Sequence, residues 1–154
     1  MDYLFVKWLH ILFSTLLFGT GIGSAFYLLL TTLTRDVRAI SVVSGVVVVA
    51  DWLFTATTAV LQPLTGFWLV HIAGLPLQAA WLKWSIVLYI VAIACWLPVV
   101  WLQIQLRNLA RQAAQNQTVL PSAYWRYFMM WVSLGVPAFF AFIAIFYLMV
   151  AKPA

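Results

Sequence analysis

Glutamate is absent from the 154 residues, aspartate occurs three times, and charged side chains make up 7% of the chain. A soluble domain needs about a quarter of its residues charged to cover its surface, so the composition excludes a water-soluble globule. Cysteine is nearly missing: Cys95 stands alone inside an apolar run, which excludes an internal disulfide and leaves the redox compartment open. Basic residues are few and scattered at the ends of apolar runs, so the formal charge of +5 carries topology rather than nucleic-acid binding. Nucleophilic triads, zinc motifs and nucleotide-binding loops are also absent. The run Gly19-Thr20-Gly21-Ile22-Gly23 lacks the strand-to-helix setting of a phosphate loop and reads as a packing surface. Cys95, Met129, Met130 and Met149 are too dispersed for a copper site.

What is present is apolar: 66% of the residues are hydrophobic and the mean hydropathy is +1.06. Four stretches reach the roughly 20 residues needed to cross about 30 Å of hydrocarbon. They predict helices over about 3–32, 40–62, 78–106 and 125–150, with a kink or break near Pro63 and 64–72 beyond it either lying along the interface or folding inward. Gly23-Ser24-Ala25 is mildly like a signal cleavage site. The apolar run around it outlasts a signal core, so the first stretch is expected to stay as a helix. The fold class is therefore all-α, a transmembrane four-helix bundle forming one domain over 1–154.

Arg35, Arg38, Arg107, Arg111 and Arg126 collect at one face of the membrane, against Lys7, Lys83 and Lys152 at the other. The positive-inside rule puts the arginine loops in the cytoplasm and both termini outside, on the periplasmic side in a Gram-negative cell. Trp8, Trp68, Trp81 and Trp84 then belong to the outer aromatic belt. The expected location is the bacterial inner membrane, multi-pass.

The chain has two histidines, His10 and His71, and this topology puts both near the outer face. Facing imidazoles inside an apolar bundle commonly hold haem iron. His10 shares a helical stripe with Ser14, Leu17, Gly21 and Ser24, small residues that suit close helix packing, so its face is expected to look inward. Three roles stand open for it: an axial haem ligand, a buried histidine bonded to a neighbouring helix, or another metal or proton-relay function. His71 follows Gln62-Pro63-Leu64-Thr65-Gly66. If the segment folds inward, His71 meets His10 as a second ligand; if it lies along the surface, His71 is an interfacial residue. Lys7 and Lys83 fall nearby, either as partners for haem propionates or as lysines snorkelling to the interface.

Asp51 falls near the bilayer centre, where a carboxylate costs several kcal/mol and marks a functional site by default. It lies on a stripe of Ser41, Ser44, Val48, Asp51, Thr55, Thr58 and Gln62, at steps of three and four, that cannot face lipid. The stripe reads as a proton path, as a quinol-facing groove, or as interhelical hydrogen bonding around a carboxyl kept protonated by burial.

The segment Val6-Lys7-Trp8-Leu9-His10-Ile11-Leu12, followed by Phe18-Gly19-Thr20-Gly21, resembles the DUF2269 group of predicted bacterial integral membrane proteins. Leu61-Gln62-Pro63-Leu64-Thr65-Gly66 and Trp81-Leu82-Lys83-Trp84 strengthen the likeness, which covers most of the chain. More distantly, the Lys-x-Leu-His-Ile opening resembles HemJ-type protoporphyrinogen oxidases and CopD-like copper-resistance membrane proteins. The HemJ likeness implies a b-type haem ligand at His10. Where that group has a second histidine segment, this chain reads Trp81-Leu82-Lys83-Trp84-Ser85 and has none, which leaves His71 as the second ligand.

The expected function is a small haem b protein for electron transfer or quinol-linked redox chemistry. His10 and His71 bind iron, Lys7 and Lys83 hold propionates, and Asp51 handles protons. The expected partners are the lipid bilayer, a quinol or redox protein, and a second copy or a larger membrane complex. The alternatives are a cofactor-free accessory subunit and a proton or ion pathway along the Asp51 stripe.

Overall fold

The computed structural model describes residues 2–153 and is helical throughout its long elements. Four helices are long and apolar enough to cross a membrane: α1 (Tyr3–Thr34), α2 (Val37–Ile72), α3 (Ala80–Gln115) and α4 (Ser122–Ala151). Much of this sequence is poor helix material in water, above all the β-branched run Val46–Val49. Inside hydrocarbon every backbone N–H and C=O must be satisfied within the segment, and that requirement overrides propensity. The chain is an integral membrane protein built as an all-α bundle.

Local chemistry ends each helix. Arg35 closes α1 in the left-handed region at φ 59, and Asp36 caps α2 by accepting the Arg38 and Ala39 N–H groups at 3.0 and 3.1 Å. Gly74, at φ 61, turns the chain out of α2 ahead of Pro76, and Gln117, at φ 54, turns it out of α3.

Two features of α2 depart from the sequence expectation. The break near Pro63 does not occur; Pro63 lies inside continuous helix, and the expected interfacial segment is the last part of α2. Proline at 63 has no N–H to give the Ala59 carbonyl. The Tyr89 hydroxyl of α3 donates to that carbonyl at 2.6 Å, supplying from a neighbour the bond the proline lacks. The irregularity lies deeper in the same helix, at a π-turn over Asp51–Thr55 in which the Ala56 N–H bonds back five residues to the Asp51 carbonyl. In addition, α3 continues to Gln115 through residues expected in the long loop.

The bundle is two antiparallel hairpins, α1 with α2 and α3 with α4, joined by packing of α2 on α3. The apolar core lies toward the arginine end, where Leu28, Ile40, Leu102, Leu106, Tyr124 and Phe128 interlock. There the Tyr124 hydroxyl meets Thr32 Oγ1 at 2.9 Å, both residues fully buried. Between α1 and α4 the Phe18 ring bridges to Phe139, Phe142 and Phe146, at centroid distances of 5.9, 6.2 and 5.3 Å.

Candidate functional site

The stripe on α2 is buried along most of its length: Ser44, Val48, Asp51, Thr55 and Thr58 all face the interior, and Thr65 extends it. Its hydroxyls are largely spent on their own helix. Ser44 donates to the Ser41 carbonyl, Thr58 to Phe54 and Thr65 to Leu61. Hydroxyls committed in this way do not form a continuous side-chain relay.

Asp51 is the exception, 3% exposed at the π-turn. Its Oδ1 accepts the Thr55 hydroxyl at 3.1 Å. Gln103 and Trp96 of α3 approach the same carboxyl, although the Trp96 N–H completes no hydrogen bond. Beside this group is a chamber of about 410 Å³ between α1 and α4, with Asp51, Thr55 and Gln103 in its lining and otherwise apolar walls. Gly21 and Gly135 face it from the two sides, and a Cβ built on either meets nothing within 4 Å. Trp96 and Trp131 also line it, and both indole N–H groups are buried without an acceptor. A buried donor without a partner costs about 1–3 kcal/mol, so the two indoles carry unmet polar demand in the packing beside the chamber.

His10 lies nearer the termini, where α1 crosses the second half of α2. Ser14 donates its hydroxyl to the His10 carbonyl at 2.6 Å, and Thr65 donates to the Leu61 carbonyl at 2.9 Å. With both hydroxyl hydrogens committed, the two oxygens act as acceptors. The Gln62 amide then donates to Ser14 Oγ at 2.8 Å and to His10 Nε2 at 3.2 Å. His10 Nδ1–H in turn donates to Thr65 Oγ1 at 2.9 Å. This assignment makes the imidazole a neutral Nδ1–H tautomer with both nitrogens in use. The ring also lies on Gly66, where a Cβ would stand 3.2 Å from His10 Cε1. In effect the network clamps α1 to α2 where the apolar core is thin.

Residues 4–153 match the model of the DUF2269 family, described as predicted integral membrane proteins. The chain belongs to that family. No curated protein and no solved structure matches it.

In this DUF2269 chain the two histidines do not meet. His71 is exposed near the end of α2. At about 100° per residue it stands roughly 140° around the helix from Gly66, the position under the His10 ring. Lys7 is exposed, its Nζ 5.8 Å from the Tyr3 ring centroid, and Lys83 is exposed at the start of α3. Among the described residues no group of three His, Cys, Asp or Glu side chains forms a metal site. The arrangement does not fit a haem held by both histidines of one chain, because the Nε2 of one is occupied and the other faces away. What the sequence left unseen was the identity of the partners. Gln62 was legible as a polar residue on the stripe, but nothing in the spacing set it against His10. Gln103, Trp96 and Trp131 reach the Asp51 chamber only through the packing of α3 and α4.

Proposed function

We propose that this protein binds a quinol-class molecule from the lipid phase and serves quinol-linked redox chemistry in the bacterial inner membrane. The observation that carries the reading is the buried Asp51 carboxyl in the lining of an apolar chamber between two transmembrane helices. Its volume falls in the usual range for small-molecule sites. The reduced quinone head has hydroxyls to donate to the Asp51 carboxyl, and its ring and tail suit the apolar walls. The isoprenoid tail leaves between α1 and α4 into the bilayer. In this reading quinol oxidation gives two electrons to a partner redox protein and releases two protons, one taken by Asp51 from the hydroxyl bonded to it and the other lost toward the membrane surface. The arginine end faces the cytoplasm, and both termini face outside.

The test is titration of a short-chain quinone into the full chain in lipid nanodiscs, followed by saturable quenching of tryptophan fluorescence. Asp51→Leu removes the acceptor and weakens binding about fivefold, the worth of one hydrogen bond. Gly135→Leu fills the chamber without meeting a neighbour at its Cβ and abolishes saturation. Equal binding by the wild type and both variants refutes the reading.

Haem ligation by His10 stays a separate proposal with a stated requirement: Gln62 must release Nε2 before iron can take it. A pair of b-type bands in a reduced-minus-oxidised spectrum of the purified protein, lost in His10→Ala, supports it. A flat spectrum after expression with ample haem leaves His10 as the clamp alone.

A further inference from the structure

The arginine end of the bundle is electrostatically unbalanced. Arg35, Arg38, Arg107, Arg111 and Arg126 gather there with one carboxylate, Asp36, because Asp2 precedes α1 at the other end and Asp51 is buried mid-bundle. Asp36 is committed as the cap of α2. Two of the arginines are engaged as well. The Arg35 guanidinium lies 5.6 Å from the Trp125 ring centroid, and Arg107 bonds Asn108 Oδ1 at 3.2 and 3.1 Å. Arg111 lies beside Gly45, its Nη2 3.1 Å from where a Cβ would stand.

Arg38 instead borders a cleft of about 250 Å³ between the start of α2 and the end of α3. Gln117 and Thr118 line it on the α3 side, and Ala113, Ala114 and Val37 supply small apolar surface. The two polar residues are fixed by the turn that ends α3. Thr118 N–H bonds to the Ala113 carbonyl at 3.0 Å and Gln117 N–H to Ala114 at 3.4 Å, around the left-handed Gln117. At about 30 Å³ per water, the cleft equals roughly eight waters in volume, room for a phosphodiester and its glycerol.

We propose that this cleft seats the headgroup phosphate of an anionic membrane lipid. The Arg38 fork matches two phosphate oxygens, and the Thr118 hydroxyl and Gln117 amide offer further donors. A lipid suits the site better than a free anion because the cleft joins the ends of two membrane-spanning helices, α2 and α3, and has alanine surface beside its donors. Val119, next to Thr118, is 83% exposed, an apolar side chain that an acyl chain or glycerol would cover. The site does not depend on the quinol reading.

The experiment is binding of a fluorescent phosphatidylglycerol to the full chain in micelles doped with phosphatidylcholine. Arg38→Gln weakens binding roughly fivefold, as expected for one basic residue at a membrane surface. Arg126→Gln, at the same end but away from the cleft, changes it less than twofold. Equal losses in the two variants overturn the site in favour of diffuse attraction, and no loss in Arg38→Gln overturns it outright. Displacement of the probe by millimolar inorganic phosphate assigns the cleft to a free anion and overturns the lipid assignment.

Discussion

Replacing Tyr89 by phenylalanine isolates one interaction that lets α2 run unbroken through a proline. The substitution removes a hydroxyl that donates to the Ala59 carbonyl at 2.6 Å and leaves the ring in place edge-on to Phe142, with centroids 6.3 Å apart. Side-chain hydrogen bonds between membrane helices average about 0.6 kcal/mol and reach about 1.7. This one belongs at the upper end, because Pro63 cannot supply the alternative intrahelical donor and the carbonyl is left in hydrocarbon. The expected cost is about 1–2 kcal/mol. Pro63→Ala restores an N–H four residues after Ala59, so in that background Tyr89→Phe costs only a few tenths of a kcal/mol. The assay is a double-mutant cycle on reversible unfolding in mixed micelles, and the expected coupling is about 1 kcal/mol between residues on different helices. An identical cost of Tyr89→Phe with proline or alanine at position 63 refutes the reasoning.

Two glycines give a contrasting pair. Gly66→Ala sets a methyl 3.2 Å from His10 Cε1, against a ring held by Thr65 and Gln62, so the clamp loses at least one bond and the protein is destabilised by about 1 kcal/mol. Gly45→Ala meets Arg111 Nη2 at 3.1 Å, the free end of a flexible side chain that moves aside, and thermal denaturation in detergent shows little change. A larger loss for Gly45→Ala than for Gly66→Ala counts against the clamp. A third test concerns the imidazole itself: ¹⁵N spectra of labelled protein show His10 with hydrogen on Nδ1, and Gln62→Leu shifts the Nε2 signal while leaving Nδ1 bonded to Thr65. A ring protonated on Nε2 contradicts the assigned network.

The four spans were legible from the sequence because crossing hydrocarbon is a local demand: length, apolarity and intrahelical backbone bonding suffice, whatever the neighbours do. The inward turn of the Asp51 stripe was legible for the same reason, since a row of Ser, Thr, Asp and Gln at helical spacing cannot face lipid. What a proline does in a helix is not a local matter. Pro63 read as a kink or break, and the bond that satisfies the Ala59 carbonyl in the continuous helix comes from Tyr89, 26 positions later.

The two histidines divide along the same line. Sequence placed both near one end of the bundle; whether they meet depends on the rotation of α2, which is set by packing against α1 and α3. That rotation turns Gln62, Thr65 and Gly66 toward His10 and leaves His71 outside. The chamber, likewise, is a property of no single helix. It exists because α1 and α4 stand apart beside Phe18 while α2 and α3 pack behind them, so tertiary structure alone decided that Asp51 borders an apolar chamber. The sequence determined that this is a membrane bundle with a costly carboxyl at its centre, because hydrocarbon imposes that reading residue by residue. The partners of each polar group were decided by helix packing, because side-chain hydrogen bonds join residues that no local pattern relates.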